Sequence, residues 1–267
     1  METSAAQKFA HFFKEKALYF VLLILLAIII GQDPSFLNLN NLSNILTQSS
    51  VRIIIALGVA GLIVTQGTDL SVGRQVGLAA VIGATLLQAT GAVGKVFPDL
   101  ATISLPVVIL IVCTIGALLG LLNGLVVTYL NVTPFIATLG SMLMIYGVNS
   151  LYYDYVGASP IASFDPGFSS FAQVFFDLGG FRLSYITIYA AIATVLVWVI
   201  WNKTRFGKNI FAIGGNPEAA KVSGVNVTLT LLGIYMLSGV FSAFGGLLEP
   251  GRIGAATTHL RLIDGLD

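Results

Sequence analysis

Seven long apolar runs, separated by short polar connections, constrain this chain more than any other feature of its sequence. They cover residues 17–30, 53–66, 75–93, 105–130, 134–153, 183–201 and 229–248. A helix needs about 20 apolar residues to cross about 30 Å of hydrocarbon, and most of the runs approach or exceed that length. The sequence therefore predicts an all-α, polytopic membrane bundle of about seven transmembrane helices that form a single domain over residues 1–267.

The composition supports a membrane protein and excludes several other classes. Hydrophobic residues make up 56% of the chain and charged residues only 9%, against about a quarter charged in soluble proteins. A net charge of +1 without a basic cluster gives no electrostatic footprint for nucleic acid. The single Cys113 rules out an intrachain disulfide, and no metal-ligand spacing surrounds it or either histidine, so we predict no metal site.

The first run has lysines before it, as in a secretory signal peptide, but no small-x-small cleavage site follows it at Gly31 to Pro34. We therefore predict an uncleaved first helix that begins near Phe12. Basic residues should be concentrated on the cytoplasmic side. If the N-terminus is cytoplasmic, that side holds Lys14, Lys16, Arg74, Lys203, Arg205, Lys208 and Lys221, and the opposite side holds Lys95 and Arg182.

Residues 202–228 form a polar loop between the sixth and seventh runs, and a short helix is predicted within it from Pro217 to Ser223. Asn216 can cap the free N–H groups, and proline suits the first helical position. Glu218 and Lys221 complement the helix dipole, and Gly224 can adopt the left-handed conformation that ends a helix.

Seven residues make a helix of roughly 10 Å, which is too short to be stable in water without a partner. Ala219, Ala220 and Val222 are expected to form its small apolar contact face, and Gly214 and Gly215 are expected to give the preceding loop freedom. The alternative interpretation is an ordinary, well-capped surface turn.

Residues 65–73 form the most unusual polar stretch at membrane depth, with Asp69 between two apolar runs. Ionisable groups are costly there, which makes Asp69 a functional candidate. It either caps the third helix or lines a pathway, and the two roles are compatible. Glycines at four-residue spacing, as in Gly116, Gly120 and Gly124, predict close helix packing in lipid.

The residue 212–224 stretch, AIGGNPEAAKVSG, resembles the cytoplasmic coupling loop of ABC importer permeases of the ribose, xylose and galactose type. The resemblance implies that this helix docks in a cleft of the ATPase subunit. The residues predicted to couple the two subunits are Gly214, Gly215, Asn216, Glu218, Ala219, Ala220 and Gly224.

Two further stretches match the same family. Residues 65–73, TQGTDLSVG, resemble a broken helix near the translocation path, although the family often has two adjacent glycines where this chain has Gln66 and Gly67. The second stretch includes Asn123 and residues 131–140, NVTPFIATLG. Asn123 needs a hydrogen-bond partner, either a neighbouring helix or a sugar hydroxyl. The candidate pathway-lining residues are Asp69, Ser71, Asn123 and Thr138.

The resemblance extends from about Asn41 to about Ala256 and is greatest to the galactose and methyl-galactoside importers of Gram-negative bacteria. It implies a multi-pass inner-membrane permease that forms a homodimer, with a cytoplasmic ATPase subunit and a periplasmic sugar-binding protein as partners. No P-loop or other catalytic motif is present in the sequence, so we expect a chain without enzymatic activity or cofactor of its own, driven by ATP that the partner hydrolyses.

Three alternatives remain at this stage. One is a secondary sugar transporter or channel, and another is a membrane subunit that does not transport. The third is an inactive, truncated permease, because family members continue into further apolar helices whereas residues 249–267 read as a shortened outer tail. In that case the glycines of the seventh helix would lack packing partners. The loop at residues 157–182 is expected to carry a short interfacial helix around residues 168–176.

Overall fold

The computed structural model describes residues 5–157 and 159–256. Ten helices and four short strands are found there. The helices are α1 (Ala5–Gln32), α2 (Leu39–Val64), α3 (Val72–Leu86), α4 (Leu105–Tyr129), α5 (Pro134–Tyr155), α6 (Pro166–Gln173), α7 (Tyr185–Lys203), α8 (Arg205–Gly215), α9 (Pro217–Val222) and α10 (Val227–Ile253). The strands are β1 (Ile161–Ala162), β2 (Phe175–Leu178), β3 (Phe181–Ser184) and β4 (Ala255–Ala256), and a 3-10 helix covers Pro34–Leu37.

Five of the described helices, α2, α4, α5, α7 and α10, are long and apolar enough to cross a membrane. Two shorter apolar helices, the Lys16–Gln32 part of α1 and α3, bring the apolar helices to the seven positions that the runs predicted. The prediction of a polytopic, helical membrane protein is confirmed.

Helix α2 is one continuous helix that begins at Leu39, well before the apolar run at residues 53–66. Ser43, Thr47 and Ser50 follow one another at helical spacing on a buried stripe of α2. Ser43 donates to the carbonyl of Arg182, and Ser50 donates to Thr187 with Oγ and Oγ1 3.1 Å apart. These polar residues therefore belong to the helix packing and do not mark a break in the helix.

Helix α10 lies at the centre of the bundle and packs against α2, α3 and α4. Against α4, the two backbones approach so closely that a Cβ added at Gly116 would collide with the carbonyl of Gly239. A Cβ at Gly120 would collide with the carbonyl of Tyr235 in the same way. The predicted role of the α4 glycines in close packing is confirmed.

The glycines of α10 were expected to lack packing partners, and this expectation is wrong. A Cβ at Gly233 would meet the ring of Phe206, and one at Gly245 would meet Ile55. Gly246 likewise faces the carbonyl of Val76. Helices of the same chain already cover these positions.

Helix α10 is also longer than its apolar run. It continues through Glu249 and Arg252, whose side chains pair at 2.7 Å, and ends at Ile253 before the left-handed Gly254. The predicted tail at residues 249–267 is therefore helical in its first five residues. Residues 257–267 lie outside the described part of the chain.

The connections divide between the two ends of the bundle. At one end, β1 pairs with β4 and Gln88 forms a bridge with Phe164, so the connections after α3, α5 and α10 lie together. The predicted interfacial helix is found there as α6, shifted toward the N-terminus because Asp165 caps it and Pro166 begins it. At the other end, Gln66 approaches the carbonyl of Gly214, which brings residues 65–71 beside α8.

Candidate functional site

Helix α9 forms where the local signals place it. Oδ1 of Asn216 accepts from the backbone N–H groups of Glu218 at 3.0 Å and Ala219 at 3.1 Å. The helix ends at Val222, one residue before the predicted end, and Gly224 follows in the left-handed region with φ +83°. The capping and stop signals are confirmed.

The apolar face predicted for α9 is divided between two environments. Ala220 is buried within the chain itself, with 4% of its surface exposed, and its carbonyl accepts from the N–H of Val225 at 3.0 Å. Ala219 is exposed, and Val222 is 90% exposed. The expectation that all three form one contact face is wrong, because Ala220 holds α9 on the bundle while Ala219 and Val222 face outward.

Helix α8 was missed in the sequence. It begins after Thr204, whose hydroxyl accepts from the N–H of Gly207 at 3.2 Å. Ile210 and Ile213 are buried on one face, Ile210 in a cluster with Leu62. Apolar residues at positions 206, 210 and 213, directly after a threonine cap, were the signal that could have predicted it.

Gly214 and Gly215 are the last residues of α8, not a free loop. A Cβ at Gly214 would collide with the carbonyl of Val64, whereas Gly215 has open space around it. The predicted hinge role is therefore wrong for Gly214, which instead allows α8 to lie directly against the end of α2.

A buried polar cluster, the Ser71 centre, joins the start of α3 to α4 and consists of Asp69, Ser71, Gln75 and Asn123. The Ser71 hydroxyl donates to Oδ1 of Asp69 at 2.5 Å. It accepts from Nε2 of Gln75 at 2.8 Å and from Nδ2 of Asn123 at 2.9 Å. The prediction that Asn123 would bond across helices is confirmed, and Gln75 was missed because it reads as an ordinary helix residue.

Asp69 does not cap α3 as predicted. Its Oδ1 accepts from the N–H and the hydroxyl of Ser71, the residue that precedes the helix, and so it stabilises the turn ahead of α3. Gln66 has φ +58°, a left-handed conformation that glycine adopts without strain. Gln66 is the residue at which the family resemblance implied a glycine, and its side chain approaches the carbonyl of Gly214 at 3.4 Å.

Several buried oxygens of the Ser71 centre and of α10 have no hydrogen-bond partner in the described part of the chain. They are Oδ2 of Asp69, Oε1 of Gln75, the Tyr235 hydroxyl, and the hydroxyls of Ser238 and Ser242 on α10. A dry, unpaired polar atom costs about 1–3 kcal/mol. Such atoms are usually explained by internal water or by a second conformation in which they are paired.

Thr138 is separate from the Ser71 centre. Its hydroxyl donates to the carbonyl of Pro134 at 2.7 Å within α5, and its side chain is fully buried. A cavity of about 470 Å³ opens between α4 and α5, and Asn123 and Ser141 contribute to its otherwise apolar wall. The structure thus brings Asp69, Ser71 and Asn123 together and leaves Thr138 apart.

Known proteins resemble this chain over nearly its whole length. A family model described as branched-chain amino acid transport system / permease component matches residues 41–263. The galactose/methyl galactoside import permease protein MglC of Escherichia coli (strain K12) is 72% identical over 261 residues, which cover 98% of this chain and 78% of that protein.

The chain belongs to this family of import permeases. The corresponding protein of Haemophilus influenzae is 70% identical, covering 95% of this permease and 76% of the relative. The ribose import permease protein RbsC of Escherichia coli (strain K12) is 35% identical over 88% of this permease and 68% of its own length. No solved structure matches. The resemblance to ABC importer permeases of the monosaccharide type is thus confirmed, and the permease is a multi-pass membrane subunit.

Proposed function

We propose that this permease forms the translocation path for galactose or methyl galactoside in an ATP-driven importer of the bacterial inner membrane. The proposal rests on the difference in sequence identity between this permease and two of its relatives. Identity is 72% to the galactose/methyl galactoside import permease of Escherichia coli and 35% to the ribose import permease of the same strain. We therefore propose the substrate for which the more identical relative is named.

A cytoplasmic ATPase subunit supplies the energy in this proposal, and the permease itself binds no cofactor. The docking element is the α8–α9 segment, which is held on the bundle by Ile210, Ile213 and Ala220 and presents Ala219 and Val222 outward. One face of α9 is packed against the bundle and the other is exposed to a partner. A movement of the ATPase subunit can therefore be transmitted through α9 to the bundle without unfolding the helix.

The proposed orientation has the N-terminus and the α8–α9 end in the cytoplasm. Basic residues remain concentrated on that side even when Arg74 is left out of the comparison. The cytoplasmic side then holds Lys14, Lys16, Lys203, Arg205, Lys208 and Lys221, and the periplasmic side holds Lys95 and Arg182. The end that carries β1, β4 and α6 faces the periplasm and receives the sugar-binding protein.

The route from the docking element into the membrane runs through direct contacts. Gly214 of α8 lies against the carbonyl of Val64, and Gln66 approaches Gly214 with its side chain. The connection that begins there leads through Asp69 to Ser71, which holds α3 to Asn123 of α4. A displacement of α8 therefore acts on the helices that surround the Ser71 centre. In the proposed homodimer, two such units enclose one path.

The test is reconstitution of the permease with its ATPase and sugar-binding protein in vesicles, followed by uptake of labelled galactose, ribose and xylose. We expect galactose uptake that requires ATP and persists when ion gradients are abolished. Uptake that needs an ion gradient and no ATP would support a secondary transporter instead. Equal rates for the three sugars, each delivered by its own binding protein, would contradict the assignment of galactose.

A further inference from the structure

Arg74 lies much deeper in the bundle than its place in the sequence suggests. Its guanidinium carbon is 4.4 Å from the centre of the Tyr146 ring on α5. Tyr146 is twelve residues beyond Pro134, the first residue of α5, which places it about 18 Å along a helix of about 33 Å. The Arg74 guanidinium therefore lies against a residue in the middle turns of α5 and not at the cytoplasmic end of that helix.

No acidic side chain neutralises Arg74 in the described part of the chain. The ion pair found among those residues joins Arg252 to Glu249, and Arg74 makes its electrostatic contact with the Tyr146 ring alone. An unpaired cation at membrane depth is costly, and such residues usually mark a substrate or ion pathway. The contact with the ring offsets part of that cost but leaves the N–H donors of the guanidinium available.

A third polar group, Asn149, lies on the same helix as Tyr146. Asn149 is three residues beyond Tyr146 on α5, on a neighbouring part of the same helix surface. It is 98% buried, and its Oδ1 has no hydrogen-bond partner in the described residues. Tyr146 is 41% exposed, so its ring is accessible to a small molecule. An accessible aromatic face and several N–H donors thus meet at Tyr146, and a buried, unpaired amide oxygen lies three residues further along α5.

We propose that Arg74, Tyr146 and Asn149 form a monosaccharide subsite within the membrane, a proposal that rests on the proposed function. A hexose has an apolar C–H face that can pack on the tyrosine ring and a rim of hydroxyl groups. Arg74 donates to hydroxyl oxygens of the sugar, and Oδ1 of Asn149, which is buried in this structure, accepts from a hydroxyl proton once the sugar enters between α3 and α5. A neutral polyol suits this arrangement better than an anion, because a carboxylate would form a strong pair with Arg74 in the low dielectric and leave slowly.

The experiment uses the reconstituted complex with ATPase and sugar-binding protein, and measures both galactose uptake and ATP hydrolysis. The variants are Tyr146→Leu, Arg74→Gln and Asn149→Leu, with Tyr146→Phe as the conservative change that keeps the ring. Arg52→Gln is the matched control, because Arg52 is another arginine within an apolar helix, is exposed, and lies on α2 away from this cluster.

We expect Tyr146→Leu and Arg74→Gln to reduce uptake at least tenfold and Asn149→Leu severalfold, while ATP hydrolysis stays within about twofold of the parent complex. Tyr146→Phe and Arg52→Gln should retain uptake. Uptake equal to the parent in Tyr146→Leu and Arg74→Gln would overturn the subsite. The subsite would also be overturned if these variants lost uptake and ATP hydrolysis equally and Tyr146→Phe were impaired to the same extent. That result would mean that the residues only stabilise the fold. If the parent complex shows no ATP-driven uptake, the proposed function itself fails.

Discussion

Helix α10 has two faces of opposite character. Toward α4, Gly239 and Tyr235 meet Gly116 and Gly120 backbone to backbone, with no space for even a methyl group. The same turns of the helix carry the hydroxyls of Tyr235, Ser238 and Ser242, which are buried and have no hydrogen-bond partner among the described residues. Where two backbones are in direct contact, the helices can pack in only one way. Where buried hydroxyls have no partner, a second side-chain arrangement that pairs them is compatible with the structure. The difference indicates that α4 and α10 form one rigid unit, whereas the turns of α10 that carry Tyr235, Ser238 and Ser242 are compatible with a second arrangement of these side chains. Further along α10, Gly246 packs as closely on the backbone of Val76.

The largest effect is expected from breaking the tight face. Gly120→Val would place Cβ against the carbonyl of Tyr235, and neither backbone can yield without separating the helices. We expect the free energy of unfolding to fall by more than about 4 kcal/mol, which is exceptional for one substitution. The measurement is recovery of monodisperse protein in detergent and its thermal midpoint.

Gly147→Ala is the matched control for that substitution. Gly147 lies within α5 and has no atom within 4 Å of an added Cβ. Alanine also favours helix over glycine by about 1 kcal/mol, so this variant should be as stable as the parent or slightly more stable. If Gly120→Val were recovered as well as Gly147→Ala, α4 and α10 would not form a rigid unit.

A second, smaller effect is expected at the Ser71 centre. Asp69→Leu removes the acceptor for the N–H and hydroxyl of Ser71, and each buried donor left unpaired costs about 1–3 kcal/mol. Asp69→Asn keeps one carbonyl oxygen for those donors and should retain substantial transport. Uptake and thermal unfolding should both fall in the leucine variant. If the asparagine variant is as inactive as the leucine variant, the charge of Asp69 is required.

The third prediction concerns the two environments on α9. Val222→Asp adds a charge at an exposed position, so we expect weaker ATPase co-purification with unchanged stability. Ala220→Arg places a long side chain in a buried position and should lower the thermal midpoint as well. Comparison of the two separates docking from folding. Normal ATPase capture by Val222→Asp would exclude this face of α9 from the interface.

The sequence predicted those features that depend on nearby residues. Apolar length located the spans, and Asn216, Pro217 and Gly224 located α9 because caps act within one turn. Contacts between distant segments were out of reach. Nothing near Ser71 indicates a bond to Asn123, 52 residues away, and nothing near Arg74 indicates the ring of Tyr146.

Burial was the other quantity that local patterns could not give. Ala219 and Ala220 are identical neighbours, yet only Ala220 is buried, because the packing of α9 against α8 and α10 decides which side of α9 is covered. The same reason explains the error about the glycines of α10. Their partners are Phe206, Ile55 and the backbone of Val76 within this chain, and no periodicity in α10 itself identifies them.

The smallest effect, and the most specific, is expected on the polar face of α10. Ser238→Ala and Ser242→Ala each remove a hydroxyl that is fully buried and has no partner in the described residues. Removing an unpaired polar group recovers part of its desolvation cost, so stability should rise by a few tenths to about 1 kcal/mol. Ser50→Ala is the control, because the Ser50 hydroxyl donates to the carbonyl of Leu46 at 2.6 Å and lies 3.1 Å from the hydroxyl of Thr187, and its loss should lower stability. If these hydroxyls are paired in a second state of the transport cycle, the Ser238 and Ser242 variants favour the present state and should transport more slowly despite their higher thermal midpoint. A gain in stability with unchanged uptake would mean that α10 keeps one arrangement against α2 and α3 throughout transport, and a loss of stability would mean that internal water already satisfies both hydroxyls.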